Sequence, residues 1–392
     1  MKLLIMDWPG FGSETIKKLL PRMGVDTEIF DFPQNSADIR NGEELGVEIA
    51  KRLLECNADA VFSFNYFPVV ATAAHACRKK YISWVYDSPA MLLYSMTVFF
   101  PENYIFHFDS SEAARLIRDG AEHVFYLPLA GNTESYDKMI PDAAIHRKYD
   151  ADIAMIGSMY REDRFRIFKK LENFDDYLKG YLEGLIAAQQ ELYGVDILEP
   201  ALNDDIMKKV LKYVPLVTNR GDGYETAAWT FANYYLAMQV TTREREMLLK
   251  ALSESYDVAL YTPGDTSYIK KVRNLGCVDY YSEAPYAMKC AKINLNITLR
   301  SIHTGIPLRA MDIMACGGFL MSNYQADLAE AFVPGEDFVY YESIPDAVEK
   351  AGYYLAHEDE RKTIAENGYR KVKEFHSMRR KFGQIFEAAG LK

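Results

Sequence analysis

The sequence predicts an α/β protein with two parallel-sheet halves and a helical insertion in the second. Three observations lead to this prediction. The chain has 392 residues, which is more than a single compact core usually contains, so two domains are expected. Short apolar runs alternate with amphipathic stretches over roughly the first third and again after Asp257, which is the pattern of β-α-β units. Between Tyr160 and about Leu252 amphipathic helical patterns dominate.

The first half, residues 1–150, is predicted to form one parallel sheet with its helices. The segment SETIKKLLPRMG begins with a serine cap and ends at a glycine, as helices do. Several strands end in polar residues, and ligands of open α/β sheets bind outside the carboxyl ends of the strands. We therefore expect one half of a site at this edge, with Asn65, Tyr66, Asp87 and Ser88 among its residues. The predicted strands are KLLIMD, DTEIFDF, DAVFSFN, KYISWVYD, YIFHFD and HVFYLPLA.

The second half, residues 151–378, begins with the strand ADIAMIGSM and is interrupted by a helical insertion at about 160–240. Gly157 and Ser158 end that first strand, at the edge where a ligand is expected. After Asp346 the chain is charged and helical. The further predicted strands are YDVALYT, VDYYS, KINLNIT, GFLMSN and DFVYYE.

Composition excludes several classes of protein. The formal net charge of −11 argues against nucleic acid or anionic lipid as a partner, since both are bound through Lys and Arg. The start of the chain lacks the apolar core of a signal peptide, and no apolar run is long enough to span a membrane. The five cysteines are odd in number and scattered. These features predict a cytoplasmic protein with reduced thiols and no transmembrane segment.

A glycine turn, DWPGFGSET, follows the first predicted strand. Gly10, Phe11 and Gly12 resemble the start of a dinucleotide fingerprint, but Thr15 stands where its third glycine would be. Asp31, at the end of the next strand, lies where that fingerprint has its ribose-binding acid. The turn is explained equally well by any tight strand-to-helix connection. A phosphate or sugar contact is the functional alternative.

The segment WVYDSP places Asp87 at the end of a predicted strand. Exposed at the crevice edge, this carboxylate is a candidate general base. The structural alternative is a helix cap, with Pro89 in the first turn of the following helix. The two interpretations are compatible, and both remain open.

The stretch RSIHTGIPLRAMDIMACGG concentrates polar chemistry around a short helix. A helix entered through Gly305 exposes backbone N–H groups that bind anions, and Arg309 in its first turn is suited to phosphate. Asp312 lies on the same face as Arg309 and offers an acceptor to sugar hydroxyls. Arg300 and His303 precede the turn and can reach the same pocket. The alternative is a surface helix with an Arg309–Asp312 salt bridge.

Other kinds of catalytic motif are missing from the sequence. There is no HExxH, no Cys/His cluster, no G-x-S-x-G elbow and no phosphate loop of the Walker type. No metal ion and no other cofactor is therefore expected. A helix N-terminus with Arg309 would stabilise a diphosphate in place of a divalent cation.

Over Asp257–Ser377 the chain resembles the C-terminal donor domain of the CgeB-like (spore-maturation-protein-like) glycosyltransferases. The resemblance is carried by MDIMACGG, by DL-x-x-x-F-x-P-G and by YYLAHEDER...NGYRKV, which follow in the order that the family shows. The segments FSFNYFP, ISWVYDSP, YLPLA and DIAMIGSMY are similar to the preceding domain. The resemblance implies the GT-B fold, in which two Rossmann-like domains face a crevice. It also implies that a final helix within 379–392 crosses back to the N-terminal domain.

The resemblance further implies transfer of a sugar from a nucleotide diphosphate donor, with UDP-sugars preferred, to an unidentified acceptor. Asp312 stands at the family's acidic position, where related enzymes have Glu, and Thr304 stands eight positions earlier, where many carry a further Glu. A catalytically inactive sugar-nucleotide-binding scaffold and an NAD-binding oxidoreductase are the alternatives. The predicted donor residues are Gly157, Ser158, Arg300, His303, Thr304, Gly305, Ile306, Arg309 and Asp312, with Asp87 and Asp312 as catalytic candidates. The predicted acceptor-side residues are Gly10, Phe11, Gly12, Asn65, Tyr66, Asp87 and Ser88.

Overall fold

The computed structural model describes residues 1–8, 10, 12–34, 36–161, 173–216 and 221–391. The chain forms two compact units. Unit 1 comprises Met1–Leu129, Thr218–Thr226 and Met378–Lys392, and unit 2 comprises Ala130–Val217 and Ala227–Ser377. The division after Leu129 precedes the boundary predicted at 150. Residues 130–150 belong to unit 2 because Tyr136 and Tyr149 are buried in its core.

Unit 1 contains a six-stranded parallel sheet. The central strand at 60–64 is buried along its whole length, as expected for a strand covered on both faces, whereas the edge strand at 26–31 is partly exposed. The strands are β1 Lys2–Asp7, β2 Asp26–Asp31, β3 Ala60–Phe64, β4 Lys80–Val85, β5 Asn103–His107 and β6 Val124–Tyr126. Their order in the sheet is β2-β1-β3-β4-β5-β6.

Helices flank the sheet of unit 1. Asp109 caps one of them by accepting a hydrogen bond from the backbone N–H of Ser111 at 3.0 Å. The C-terminal helix packs on this unit, since the ring of Phe382 lies 5.3 Å from that of Phe62. The helices are α1 Ser13–Arg22, α2 Asp38–Asn41, α3 Glu43–Glu55, α4 Pro68–Ala76, α5 Ser110–Asp119 and, from the end of the chain, α18 Met378–Ala388, with 3-10 turns at Met91–Tyr94 and Met96–Phe99.

Unit 2 contains a second parallel sheet, separate from the first. The prediction of a strand at VDYYS is wrong. Asp279 instead closes a turn by accepting from the backbone N–H groups of Tyr281 and Ser282, and the neighbouring strand is Arg273–Asn274. The strands are β7 Ala151–Ile156, β8 Val258–Tyr261, β9 Arg273–Asn274, β10 Ala291–Asn296, β11 Leu320–Asn323 and β12 Val339–Tyr341. Their order in the sheet is β12-β11-β10-β7-β8-β9.

Helices cover both faces of the unit 2 sheet through two buried apolar clusters, and further helices of this unit form a third cluster of their own. The helices of unit 2 are α6 Thr133–Tyr136, α7 Ala143–Tyr149, α8 Asp176–Gln190, α9 Leu198–Ala201, α10 Asp204–Tyr213, α11 Ala227–Phe231, α12 Ala237–Ser253, α13 Ala284–Cys290, α14 Leu308–Ala315, α15 Ala326–Ala331, α16 Ile344–Ala356 and α17 Glu358–Phe375. A π-helical turn, Ala232–Leu236, joins α11 to α12.

The predicted helical insertion is built around its own apolar core, to which α8, α10, α11 and the start of α12 contribute. Asp175 caps α8 through the backbone N–H of Leu178, and Asn203 caps α10 through that of Ile206. Residues 162–172 and 217–220 of this region lie outside the described part of the chain. Among the described helices, none is both long and apolar enough to cross a bilayer.

Candidate functional site

The sheet of unit 2 changes direction between β7 and β10. The chain leads from β7 to β8 and β9 on one side and from β10 to β11 and β12 on the other. In open α/β sheets this switch point opens a crevice at the carboxyl ends of the strands, and ligands bind there. Residues 157–160 follow β7 and residues 297–300 follow β10, so both loops lie at this edge.

Arg309 lies against the first of these loops. A Cβ atom added to Gly157 would stand 2.9 Å from Nη2 and 3.0 Å from Cζ of Arg309, so the guanidinium covers the glycine backbone. Gly157 has a φ of 150°, which side chains rarely adopt. As predicted, a helix, α14, begins at Leu308 and carries Arg309 in its first turn. The predicted donor residues Gly157 and Arg309 are thus in contact.

The guanidinium of Arg309 has no hydrogen-bond or ion-pair partner among the described residues. Its Nε atom is buried and unpaired. The alternative of a surface helix with an Arg309–Asp312 salt bridge is therefore wrong. This cation is partly buried, has no direct ion-pair partner among the described residues, and lies at the N-terminus of a helix and at the switch point, so it creates a positive site suited to an anion.

Asp312 is turned away from solvent and is only 1% exposed. Its two oxygens accept hydrogen bonds from the hydroxyl of Tyr136 at 3.0 Å and from that of Tyr280 at 2.6 Å. Burial raises the pKa of Asp312 to about 7, and the two tyrosine hydrogen bonds and Arg309 oppose that rise. Because Asp312 is buried, a contact from it to a sugar diol would require the side chains around it to move.

Arg300 is engaged elsewhere. Its Nε donates to the carboxylate of Glu244 at 2.9 Å, its Nη1 donates to the carbonyl of Leu192 at 2.8 Å, and its guanidinium lies 4.1 Å from the ring centre of Tyr193. The Arg300–Glu244 pair is buried, since each side chain is 9% exposed. The structure thus places the charge of Arg300 against Glu244, and it does not join Arg309.

The remaining predicted donor residues surround the entrance to α14 or the loop after β7. The Oγ of Ser158 accepts from the backbone N–H of Tyr160 at 2.8 Å, and the carbonyl of Thr304 accepts from the backbone N–H of Asp327 at 3.0 Å. Gly305 is buried, and Ile306 is fully buried in the core of unit 2. His303 is partly exposed. Ile306 therefore anchors the turn and does not offer its side chain to a ligand.

Arg245 borders the candidate site, and the sequence patterns did not single it out. It lies on α12, is 2% exposed, and donates from Nη1 to the carbonyl of Ser158 and from Nη2 to that of Ile297, the latter at 2.6 Å. The sequence does contain a signal for it. Arg245 belongs to an i, i+3, i+4, i+7 helical pattern with Leu248, Leu249 and Leu252, and these three leucines lie in the core. A charge within an apolar stripe marks a buried polar group.

At the carboxyl edge of the unit 1 sheet, Asn65 holds Asp87. The Nδ2 of Asn65 donates to Oδ2 of Asp87 at 2.7 Å, and its Oδ1 accepts from the backbone N–H groups of Tyr86 and Asp87 at 3.0 and 3.2 Å. Asn65 adopts a φ of 58°, a conformation that asparagine tolerates. The two predicted residues are thus brought together by a fixed network.

Asp87 does not act as a helix cap. The 3-10 turn Met91–Tyr94 begins after Ala90 and receives no side-chain cap. The side chain of Asp87 remains exposed, yet the surrounding protein atoms desolvate it enough to raise its pKa, against the lowering effect of Asn65. An exposed, oriented carboxylate with a raised pKa has the properties of a general base.

The other acceptor-side predictions have mixed outcomes. Tyr66 lies in the interior, where its hydroxyl is 2.8 Å from that of Thr97, so it does not reach this edge. Gly12 precedes α1 with a φ of 76° and has no room for a Cβ beside the ring of Phe64. Ser88 is partly exposed next to Asp87, Gly10 lies over Trp8, and Phe11 is outside the described residues.

A candidate metal-ligand cluster lies at α7 and α13. His146, Asp150 and Cys290 bring one ligand atom each within 4.8 Å of one another, and Nδ1 of His146 lies 2.9 Å from Oδ1 of Asp150. Burial and, to a smaller extent, the nearby Asp150 raise the pKa of the Cys290 thiol to about 11. A protonated thiol is a poor metal ligand. Sequence patterns did not indicate this cluster because Cys290 is far from His146 and Asp150 in the chain.

One protein-family model matches the chain. Residues 243–387 match the family described as "Glycosyl transferase-like". The match begins within α12 and ends within α18, so it includes Arg245, Arg300, Arg309 and Asp312. No curated protein sequence matches the chain.

Several solved structures are similar to the whole chain. HepE from Anabaena, in complex with UDP and glucose, is 12% identical with a TM-score of 0.54, over 100% of this chain and 99% of that one. Sucrose-phosphate synthase from Thermosynechococcus elongatus is 11% identical with a TM-score of 0.54, over 99% of this chain and 98% of that one. The complex of HepE with UDP-glucose has a TM-score of 0.52 at 12% identity, over 100% of this chain and 99% of that one. The chain has the GT-B fold, with two Rossmann-like sheets, as predicted.

Proposed function

We propose that this chain is a glycosyltransferase that uses a nucleotide diphosphate-sugar, with a UDP-sugar as the preferred donor. The observation that carries the proposal is the guanidinium of Arg309, which has no partner among the described residues and lies beside Gly157 at the switch point of the unit 2 sheet. The match to a glycosyl transferase-like family over residues 243–387 and the GT-B fold support it. UDP in the HepE complexes supports the choice of nucleotide.

In this proposal the diphosphate binds at the N-terminus of α14. The backbone N–H groups at the start of α14 and the guanidinium of Arg309 supply positive charge and donors for the phosphate oxygens. The same groups stabilise the negative charge that develops on the leaving diphosphate. A divalent cation is not required for that role, so we propose transfer without a metal.

The acceptor is proposed to be activated by Asp87 in unit 1. Asn65 orients the carboxylate, and its raised pKa makes it a better proton acceptor than an ordinary surface aspartate. The acceptor is a molecule with a nucleophilic hydroxyl or similar group. Asp312 has a structural role in this scheme, since its oxygens accept hydrogen bonds from the hydroxyls of Tyr136 and Tyr280.

Titration calorimetry with UDP tests the donor site. Arg309→Ala removes a charge-assisted contact and should weaken UDP binding about 10- to 100-fold, which corresponds to about 1.5–3 kcal/mol. Arg243→Ala is the matched control, because Arg243 lies on α12 but is paired with Glu183 at the surface. Undiminished UDP binding by Arg309→Ala would refute the proposed donor site.

A second candidate is a sugar-nucleotide-binding scaffold without turnover. Thr304 at the position of a frequent glutamate, and the burial of Asp312, favour it. Release of UDP from a UDP-sugar distinguishes the enzyme from the scaffold. An enzyme shows turnover that Asp87→Asn reduces, whereas a scaffold binds UDP but releases no UDP from a UDP-sugar.

The oxidoreductase alternative is tested by a thermal-shift panel of UDP, GDP, dTDP, ADP and NAD, in which a ligand at one hundred times its Kd stabilises the protein by about 2.7 kcal/mol.

A further inference from the structure

Arg245 joins the two loops that border the switch point of unit 2. Its Nη1 donates to the carbonyl of Ser158, after β7, and its Nη2 donates to the carbonyl of Ile297, after β10. These strands are adjacent in the sheet. One side chain therefore fixes both walls of the crevice, and it does so from α12, which packs against β7 and β8.

Within the described ranges, the guanidinium of Arg245 has no carboxylate partner. Its Nε is buried without any hydrogen-bond partner, and its planar face lies 4.8 Å from the ring centre of Tyr160. Glu244, the nearest acid in sequence, is bonded to Arg300. A buried cation is costly unless its charge is compensated, and among the described residues Arg245 is compensated by two carbonyl oxygens and the Tyr160 ring rather than by a full negative charge.

A second cation adds to this positive field. Burial lowers the pKa of Arg245, and the neighbouring charge of Arg309 lowers it further, while Tyr160 raises it. Ser158, whose carbonyl Arg245 holds, follows Gly157, over which the guanidinium of Arg309 lies. The position of Arg309 thus depends on a loop that Arg245 fixes.

We propose that Arg245 is the positioning residue of the donor site. It holds the loops after β7 and β10 together and supplies a second buried positive charge. As a result, the site selects a diphosphate over a monophosphate. This inference rests on the proposed function, because it assumes that a nucleotide binds at Arg309. Arg245 acts on the ligand through the loops and through its field. Charge pairs interact in proportion to the product of their charges, so the more highly charged diphosphate gains more from this second cation.

Two variants separate the loop tie from the charge. Arg245→Met removes both, and Arg245→Lys keeps the charge but cannot hold two carbonyls in a planar fork. Arg243→Met is the control, since this arginine is on the same helix and its partner Glu183 lies at the surface. Two quantities are measured for each protein: the Kd of UDP and of UMP by calorimetry, and hydrogen exchange of the amides in residues 158–160 and 298–300 without ligand.

Arg245→Met should weaken UDP binding about tenfold and lower the preference for UDP over UMP by at least about threefold, because the diphosphate carries the greater charge. Exchange in both loops should rise in Arg245→Met and in Arg245→Lys, while the lysine variant should keep most of the preference for UDP. Arg243→Met should behave as the wild type. If Arg245→Met does not fold, the lysine variant carries the test, since unchanged loop exchange in it would refute the tie.

Three other results would overturn the inference. One is an Arg245→Met protein with wild-type Kd values and wild-type loop exchange. Another is an equal loss of UDP and UMP affinity, since that would indicate a merely structural role. The third is a lysine variant that has lost the UDP preference completely. In each case Arg309→Ala still reports on the donor site, whereas a wild-type protein that binds no nucleotide would show the proposed function itself to be wrong.

Discussion

Replacing Gly157 by alanine should displace the guanidinium of Arg309. The new Cβ would lie 2.9 Å from Nη2 and 3.0 Å from both Cζ and Nη1. Ordinary van der Waals contacts are about 3.5 Å or longer, so the guanidinium must move by roughly 0.5 Å or more. Because these atoms are the end of a flexible side chain, the movement itself costs little stability.

The expected loss concerns binding more than folding. If the displaced guanidinium no longer meets a phosphate oxygen, the loss of one charge-assisted contact is about 1.5–3 kcal/mol, or about 10- to 100-fold in Kd. The unusual φ of 150° at Gly157 adds backbone strain of about 1–3 kcal/mol, which lowers stability. The control is Gly335→Ala: Gly335 has a φ of 80°, and its new Cβ would meet no described atom within 4 Å, so the substitution strains the backbone alone.

Calorimetry with UDP and thermal unfolding of the two variants provide the assay. Both should unfold at a lower temperature than the wild type, and only Gly157→Ala should lose UDP affinity. Wild-type affinity in Gly157→Ala would mean that the position of the Arg309 guanidinium over this glycine is irrelevant to the donor. Equal losses of affinity in both variants would also contradict the reasoning.

Three further predictions concern Asp312, Asp87 and metal. The native protein retains the proton of Asp312 up to about pH 7, while the unfolded chain releases it near the ordinary pKa of 3.8, so stability should fall by up to about 1.4 kcal/mol per pH unit as pH rises through this window. Denaturant unfolding from pH 5 to 7 should show this slope in the wild type and not in Asp312→Asn. Asp87→Asn should bind UDP normally by calorimetry but release less UDP from a UDP-sugar in the presence of acceptor. EDTA should leave that release unchanged, and loss of activity restored by Mn²⁺ would contradict metal-independent transfer.

Periodicity was sufficient to predict the two sheets, because buried parallel strands leave continuous apolar runs such as AVFSF in β3. It failed at VDYYS, where β-branched and aromatic residues resemble a strand. Tyr280 instead uses its ring and hydroxyl to cover Asp312, and Asp279 forms the turn. A single sequence does not distinguish an aromatic side chain that pairs in a sheet from one that covers a buried acid.

The site was predictable where it depends on neighbours in sequence. The turn into α14, Arg309 in its first turn, and Gly157 at the end of β7 follow from local patterns. Contacts across the chain were not predictable: Arg300 is paired with Glu244, 56 residues away, and Asp312 with Tyr136, 176 residues away. The same limit applies to the contacts of Arg245 with the carbonyls of Ser158 and Ile297, which are 87 and 52 residues away.

A crystal structure of the protein with UDP tests most directly whether the positive site around Arg309 holds a nucleotide diphosphate. We expect phosphate oxygens within hydrogen-bonding distance of the Arg309 guanidinium and of the first backbone N–H groups of α14, with Gly157 beneath them. A nucleotide bound instead at the turn between β1 and α1, or phosphates that leave Arg309 without a contact, would contradict this assignment.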